Sequence, residues 1–82
     1  MQVEVLTPRK IEFQDEAEVI ILPTQMGEIS VLPKHAPLVS VLKAGRIKIR
    51  TKKEEIVLEI EGGVLEVVGN SATILLKNFN IH

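Results

Sequence analysis

Apolar and polar residues alternate with period two along most of the chain, between clusters of turn-forming residues. That is the pattern of half-buried β-strands. Val3 and Val5 alternate with Gln2 and Glu4 until Thr7-Pro8 ends the run, and Ile11 and Phe13 alternate with Lys10 and Glu12. Residues 17–22 are almost continuously apolar, as in a strand covered on both faces, and Pro23 is expected to close it. Residues 28–32 read as a short strand stopped by Pro33, and residues 38–42 as another that follows Pro37. In residues 45–50, Ile47 and Ile49 face one way and Arg46, Lys48 and Arg50 the other. Ile56, Leu58 and Ile60 then alternate with Glu55, Val57, Glu59 and Glu61. Gly62-Gly63 reads as a two-residue hairpin turn, since both residues can take positive φ, returning the chain as a partner strand over 64–68. Gly69-Asn70 reads as a second turn into 72–76, and Phe79 and Ile81 as a short last strand.

No stretch of ten or more residues carries an amphipathic helical pattern, and turn signals recur roughly every 8–12 residues. The fold class expected is all-β, one domain over residues 1–82, a sandwich or barrel of short strands. The expected core is Val5, Phe13, Val19, Ile21, Ile29, Val31, Leu38, Val41, Ile47, Ile49, Ile56, Leu58, Ile60, Leu65, Val67, Ile74 and Leu76. Leu38, Val39 and Val41 cannot all point inward on one strand.

Composition narrows the classes. The chain has 82 residues, 45% of them hydrophobic, enough for a thin globular core. Two Phe, no Tyr and no Trp leave the packing to Ile, Val and Leu. The absence of Cys favours a reducing compartment, and no signal peptide or membrane-spanning run is visible. A net charge of −1 gives no general reason to bind nucleic acid or an acidic membrane.

A search for chemistry nominates nothing. Ser30, Ser40 and Ser71, His35 and His82, and the single Asp15 do not form a nucleophile context. Two His and no Cys make a zinc site improbable, and no phosphate loop follows either glycine cluster. No cofactor, metal or catalytic residue is expected. The basic run Lys43, Arg46, Lys48, Arg50, Lys52, Lys53 lacks neighbouring aromatics for base stacking. Glutamates 54, 55, 59 and 61 follow it, so cross-strand charge pairing on a solvated face is the expectation. A carrier domain modified on Lys43 is a rival reading, but the flanking Leu42 and Ala44-Gly45 suit it poorly.

The most unusual stretch runs from Thr24 through Leu38. Pro33 and Pro37 bracket three residues and stiffen the loop between them, so it loses little entropy on binding. Read from the residues alone, His35 is a turn histidine bonding nearby backbone and Glu28 a solvated turn glutamate.

Residues 18–38, EVIILPTQMGEISVLPKHAPL, resemble the epsilon subunit family of the F-type ATP synthase, called delta in mitochondria. The family shows Gly-Glu, an apolar strand and then Pro-x-His-Ala-Pro-Leu. Residues 43–49, KAGRIKI, and 62–67, GGVLEV, match its next strand entry and its Gly-Gly hairpin. Ser30 stands where many members have Gly.

The resemblance implies a flattened antiparallel β-sandwich of about ten short strands. It also implies a non-catalytic rotor subunit of the central stalk, peripheral at the cytoplasmic face of the inner or plasma membrane. Such a subunit binds the gamma subunit and the membrane c ring, coupling ion translocation to ATP synthesis. By residue, Gly27, Glu28 and Ile29 match the turn that faces the c ring, and His35, Ala36, Pro37, Leu38 and Val39 the segment beside gamma. Members usually continue into a C-terminal helical hairpin that can inhibit ATP hydrolysis and, in some, bind ATP. The sequence to His82 has no helical pattern to supply it, and neither property is expected of these residues.

Overall fold

The computed structural model describes residues 1–77 and the backbone of Phe79–Asn80. Ten strands and no helix are present among the described residues: β1 (Gln2–Leu6), β2 (Ile11–Glu16), β3 (Val19–Thr24), β4 (Gly27–Val31), β5 (Leu38–Leu42), β6 (Gly45–Arg50), β7 (Glu55–Ile60), β8 (Gly63–Val68), β9 (Ser71–Leu76) and β10 (Phe79–Asn80). The expected strand through Ile81 is seen as Phe79–Asn80, and Ile81 lies outside the described residues.

The strands form one hydrogen-bonded sheet in the order β10-β7-β6-β3-β5-β8-β9-β1-β2, with β4 paired to β3. β3 and β5 share a single bridge, Thr24 opposite Leu42. At that seam the sheet folds over, giving one layer of β4-β3-β6-β7-β10 and another of β5-β8-β9-β1-β2. The body measures 28 × 28 × 20 Å, hence flattened. One pairing departs from the antiparallel expectation: β1 and β9 run parallel, Val3 beside Ala72 and Val5 beside Ile74.

The core lies between the layers. Val3 and Val5, Ile20 and Leu22, Val31, Ile47 and Ile49, Leu65, Val67 and Ile74 are each 2% exposed or less. Each strand contributes alternate side chains to this space, which is why a period-two sequence closes it. Phe13, Ile29, Leu38, Ile56 and Leu58 pack half-buried against its margin. Met1 is buried as well: its amine donates to the Ala17 carbonyl at 3.0 Å, and the Ala17 N–H returns to the Met1 carbonyl at 2.8 Å.

Three expectations change. The phase of β3 is reversed: Ile20 and Leu22 are buried, and Val19 and Ile21 are half-buried on the outer face. A continuously apolar run has no polar marker to set its phase. Val41 is 51% exposed, because Leu42 takes the inward position on β5. Pro23 does not close β3 but lies inside it, opposite Glu28, and its carbonyl accepts from the Lys43 N–H at 3.0 Å.

The Gly62-Gly63 step is not a hairpin. β7 pairs with β6 and β10, β8 with β5 and β9, and the glycines carry the chain from one layer to the other. Only Gly62 has positive φ, +140°. Gly63 is needed for space: a Cβ there would collide with the Leu75 carbonyl oxygen on β9. By contrast Gly69-Asn70 is a true two-residue hairpin between Val68 and Ser71, with Gly69 at φ +60°.

Gly63→Ala is expected to lower unfolding free energy by about 2–3 kcal/mol, because backbone must move to admit the methyl group. Gly69→Ala, where nothing lies within 4 Å, should cost only about 1 kcal/mol from the left-handed backbone. Urea denaturation of the two variants checks the order; equal effects would contradict the close approach at Gly63.

Candidate partner-binding surfaces

Two exposed elements flank β4. The first is the β3–β4 turn. Thr24 sits opposite Gly27, leaving Gln25 and Met26 at the tip. Thr24 is buried, accepts from the Met26 N–H at 3.2 Å and donates to the Gly27 carbonyl at 2.5 Å. Its hydroxyl thus satisfies two backbone groups that the turn frees. Gly27 has φ +119°, a value that side-chain-bearing residues rarely adopt. The Gln25 N–H donates to the Val41 carbonyl at 3.2 Å and ties the tip to the other layer.

Of the three turn residues nominated from sequence, Glu28 is exposed and Gly27 shapes the turn, but Ile29 packs half-buried against the core. Met26, which sequence reasoning passed over, is 96% exposed at the tip. Its place just before the turn glycine was the available signal. Thr24 was missed too, although threonine opens two other short turns in the same way. Thr51 Oγ1 accepts from the Lys53 and Glu54 N–H groups at 3.2 and 3.1 Å, and Thr7 Oγ1 from those of Arg9 and Lys10 at 3.3 and 3.4 Å.

The second element is the β4–β5 loop. The His35 N–H donates to the Leu32 carbonyl at 3.1 Å, closing a turn with Pro33 and Lys34 at its centre. Lys34 has φ +66°, so this is a type II turn with lysine where glycine is the usual occupant. His35 is half-buried and its Nδ1 lies 2.7 Å from the Ala36 carbonyl, consistent with a turn histidine bonding nearby backbone. Ala36 and Pro37 are exposed. On β5, Leu38 packs against the core while Val39 is 68% exposed.

The two elements do not converge. They sit at opposite ends of β4, whose five residues span about 15 Å at ~3.3 Å per residue. A partner reaching Glu28 and Met26 approaches one end of the sandwich, and one reaching His35 approaches the other.

The remaining candidates are resolved by pairing. Arg46 Nε lies 3.2 Å from Glu59 and Arg50 Nη2 3.5 Å from Glu55, so these two arginines of the basic run are charge-paired across β6 and β7, while Lys48 stands opposite Val57. Such exposed pairs contribute ~0.2–1 kcal/mol. Lys43 lies between β5 and β6, which are not paired to each other, and not on the hairpin tip a carrier lysine needs. Among the described residues no group of His, Cys, Asp or Glu could hold a metal ion. No helix among them is long and apolar enough to cross a membrane.

Comparison with known proteins agrees with this architecture. The family model for the ATP synthase delta/epsilon chain β-sandwich domain matches residues 1–80. The chain is 40% identical over 78 residues to the ATP synthase epsilon chain of Brevibacillus brevis, covering 94% of this chain and 59% of that one. It is 43% identical over 75 residues to the chloroplastic epsilon chain of Tetradesmus obliquus, covering 92% and 55%. It therefore spans less than two thirds of these relatives. A chain in the central stalk and c ring structure of the Tetrahymena thermophila mitochondrial ATP synthase superposes with TM-score 0.84 at 23% identity, over 98% of this chain and 65% of that one. One from the Euglena gracilis mitochondrial ATP synthase gives 0.87 at 20%, over 93% and 49%. At those identities the likeness concerns the fold.

Lys34→Gly is expected to raise unfolding free energy by about 0.5–1 kcal/mol, since relief of the left-handed lysine exceeds the entropy glycine adds to the unfolded chain. Lys34→Val, β-branched at positive φ, should lower it by ~1 kcal/mol or more. Thermal melts of both variants give the sign.

Proposed function

Because the chain belongs to the ATP synthase delta/epsilon β-sandwich family, we propose that it serves as a non-catalytic stalk subunit that links the gamma subunit to the c ring. The family match over residues 1–80 carries this reading. In it, the subunit works at the cytoplasmic face of the membrane, held there by its partners, and helps couple ion translocation to ATP synthesis.

The tip formed by Gly27 and Glu28, with Met26 beside them, meets the loops of the c ring. A carboxylate at that position suits basic loop tips and steers the encounter. Ile29, half-buried against the core, supports the tip from below and completes the ring side. His35, Ala36, Pro37, Leu38 and Val39 form the gamma side, where Val39 offers an exposed apolar side chain and Leu38 anchors the loop to the core. A subunit that transmits torque benefits from contact elements that do not bend. The paired prolines and the closed turn at His35 meet that need.

Co-purification with a gamma subunit from the same source tests the reading. A one-to-one complex is expected, weakened about tenfold or more by His35→Asp or Val39→Asp and unchanged by Glu28→Lys. Glu28→Lys should instead reduce retention of the gamma complex on purified c ring. No gamma complex at micromolar concentration would overturn the assignment.

A further inference from the structure

Three threonines open short turns through their hydroxyls, and Thr24 differs from the other two. Thr7 joins β1 to β2 and Thr51 joins β6 to β7, each within one layer. Thr24 also forms the bridge to Leu42 that joins the layers. It is 1% exposed, against 9% for Thr51, while Thr7 is half-buried. A buried β-branched side chain keeps one rotamer, so the Thr24 hydroxyl points in a fixed direction.

The turn depends on that hydroxyl because its backbone is not of the self-supporting kind. Two-residue hairpin turns whose twist matches the strands hold their central residues at positive φ. Gln25 and Met26 do not, and positive φ falls on Gly27 instead, at +119°. The side chains of Gln25 and Met26 are exposed and give the tip no packing. The Gln25 N–H bond to the Val41 carbonyl at 3.2 Å anchors the first turn residue. Beyond it, the strand pairing of Thr24 with Gly27 is supplemented by the hydroxyl, which accepts from the Met26 N–H at 3.2 Å and donates to the Gly27 carbonyl at 2.5 Å. The Gly27 carbonyl shares a planar peptide with the Glu28 N–H, so this bond sets the plane from which Glu28 projects.

We infer that Thr24 is a positioning residue for the c-ring contact: its hydroxyl, fixed by burial and by the Leu42 bridge, aims the segment from Met26 to Glu28. The inference rests on the ring reading above. Thr24 is buried and acts through the turn, without touching the ring itself. Leu42 ends the strand that begins at Leu38 and Val39. The direction of the tip is therefore set relative to the gamma side of the sandwich, which is what a coupling subunit requires of its two contacts.

The test measures retention of the complex of this chain with gamma on purified c ring. Thr24→Val keeps the shape of the side chain and removes the hydroxyl. It is expected to weaken retention about fivefold, with circular dichroism and gamma affinity unchanged. Thr24→Ser keeps the hydroxyl and should be retained as wild type. Thr51→Val removes the same kind of turn bonds between β6 and β7, away from the tip, and should also be retained as wild type. Amide exchange at Met26 should quicken several-fold in Thr24→Val and not in Thr24→Ser. If Thr24→Val is retained normally while Glu28→Lys is not, the positioning role is wrong and the ring reading stands. If Thr24→Ser or Thr51→Val loses as much as Thr24→Val, or gamma affinity falls in step, the effect is general stability and the inference is overturned. If wild type is not retained and Glu28→Lys changes nothing, both readings fall together.

Discussion

Thr24 opposite Leu42 is the one bridge between β3 and β5, and the two-layer body depends on it. On either side the sheet is ordinary antiparallel pairing, apart from the parallel β1–β9 ladder that brings the first strand back beside the last long one. Closure over a core of aliphatic side chains leaves little room where the layers meet. Gly63 passes against the backbone of Leu75, and a Cβ added at Gly45 would come within 3.1 Å of the Pro23 ring. Small residues at these crossings let the core side chains meet without a void, which a domain this thin can ill tolerate.

The same closure positions the surfaces. β4 hangs on β3 outside the main strand path, so both of its ends project: the Thr24–Gly27 turn at one, the Leu32–Pro37 loop at the other. The turn's hydrogen bond from Gln25 to Val41 and the Pro23 link to Lys43 lock it to the opposite layer. A load applied at the tip is therefore carried into both layers and not into a single hairpin. This is a mechanical reason for a stalk subunit to be a closed sandwich, and it needs no catalytic chemistry.

Much of this was legible in the sequence, for identifiable reasons. Strands with clean alternation, such as β6 and β7, show their inward face in the sequence because each charged residue marks the phase. The phase of β3 is not legible because residues 19–22 contain no polar residue, and the inward residue at the end of β5 is ambiguous because residues 41 and 42 are both apolar. The Gly62-Gly63 step looked like a hairpin because local sequence reports backbone freedom and not which strands pair afterwards. Glu28 and His35 stood out through the family resemblance. Met26 did not, since a lone methionine beside a turn glycine carries no periodicity.

Whether the two ends of β4 meet different partners is decided by cross-linking Met26→Cys within the assembled ATP synthase. Met26 stands 96% exposed at the tip, so the label samples the partner and not the fold. Adducts are expected on the c subunit and none on gamma. Adducts on gamma alone would contradict it, because the tip would then lie on the gamma side.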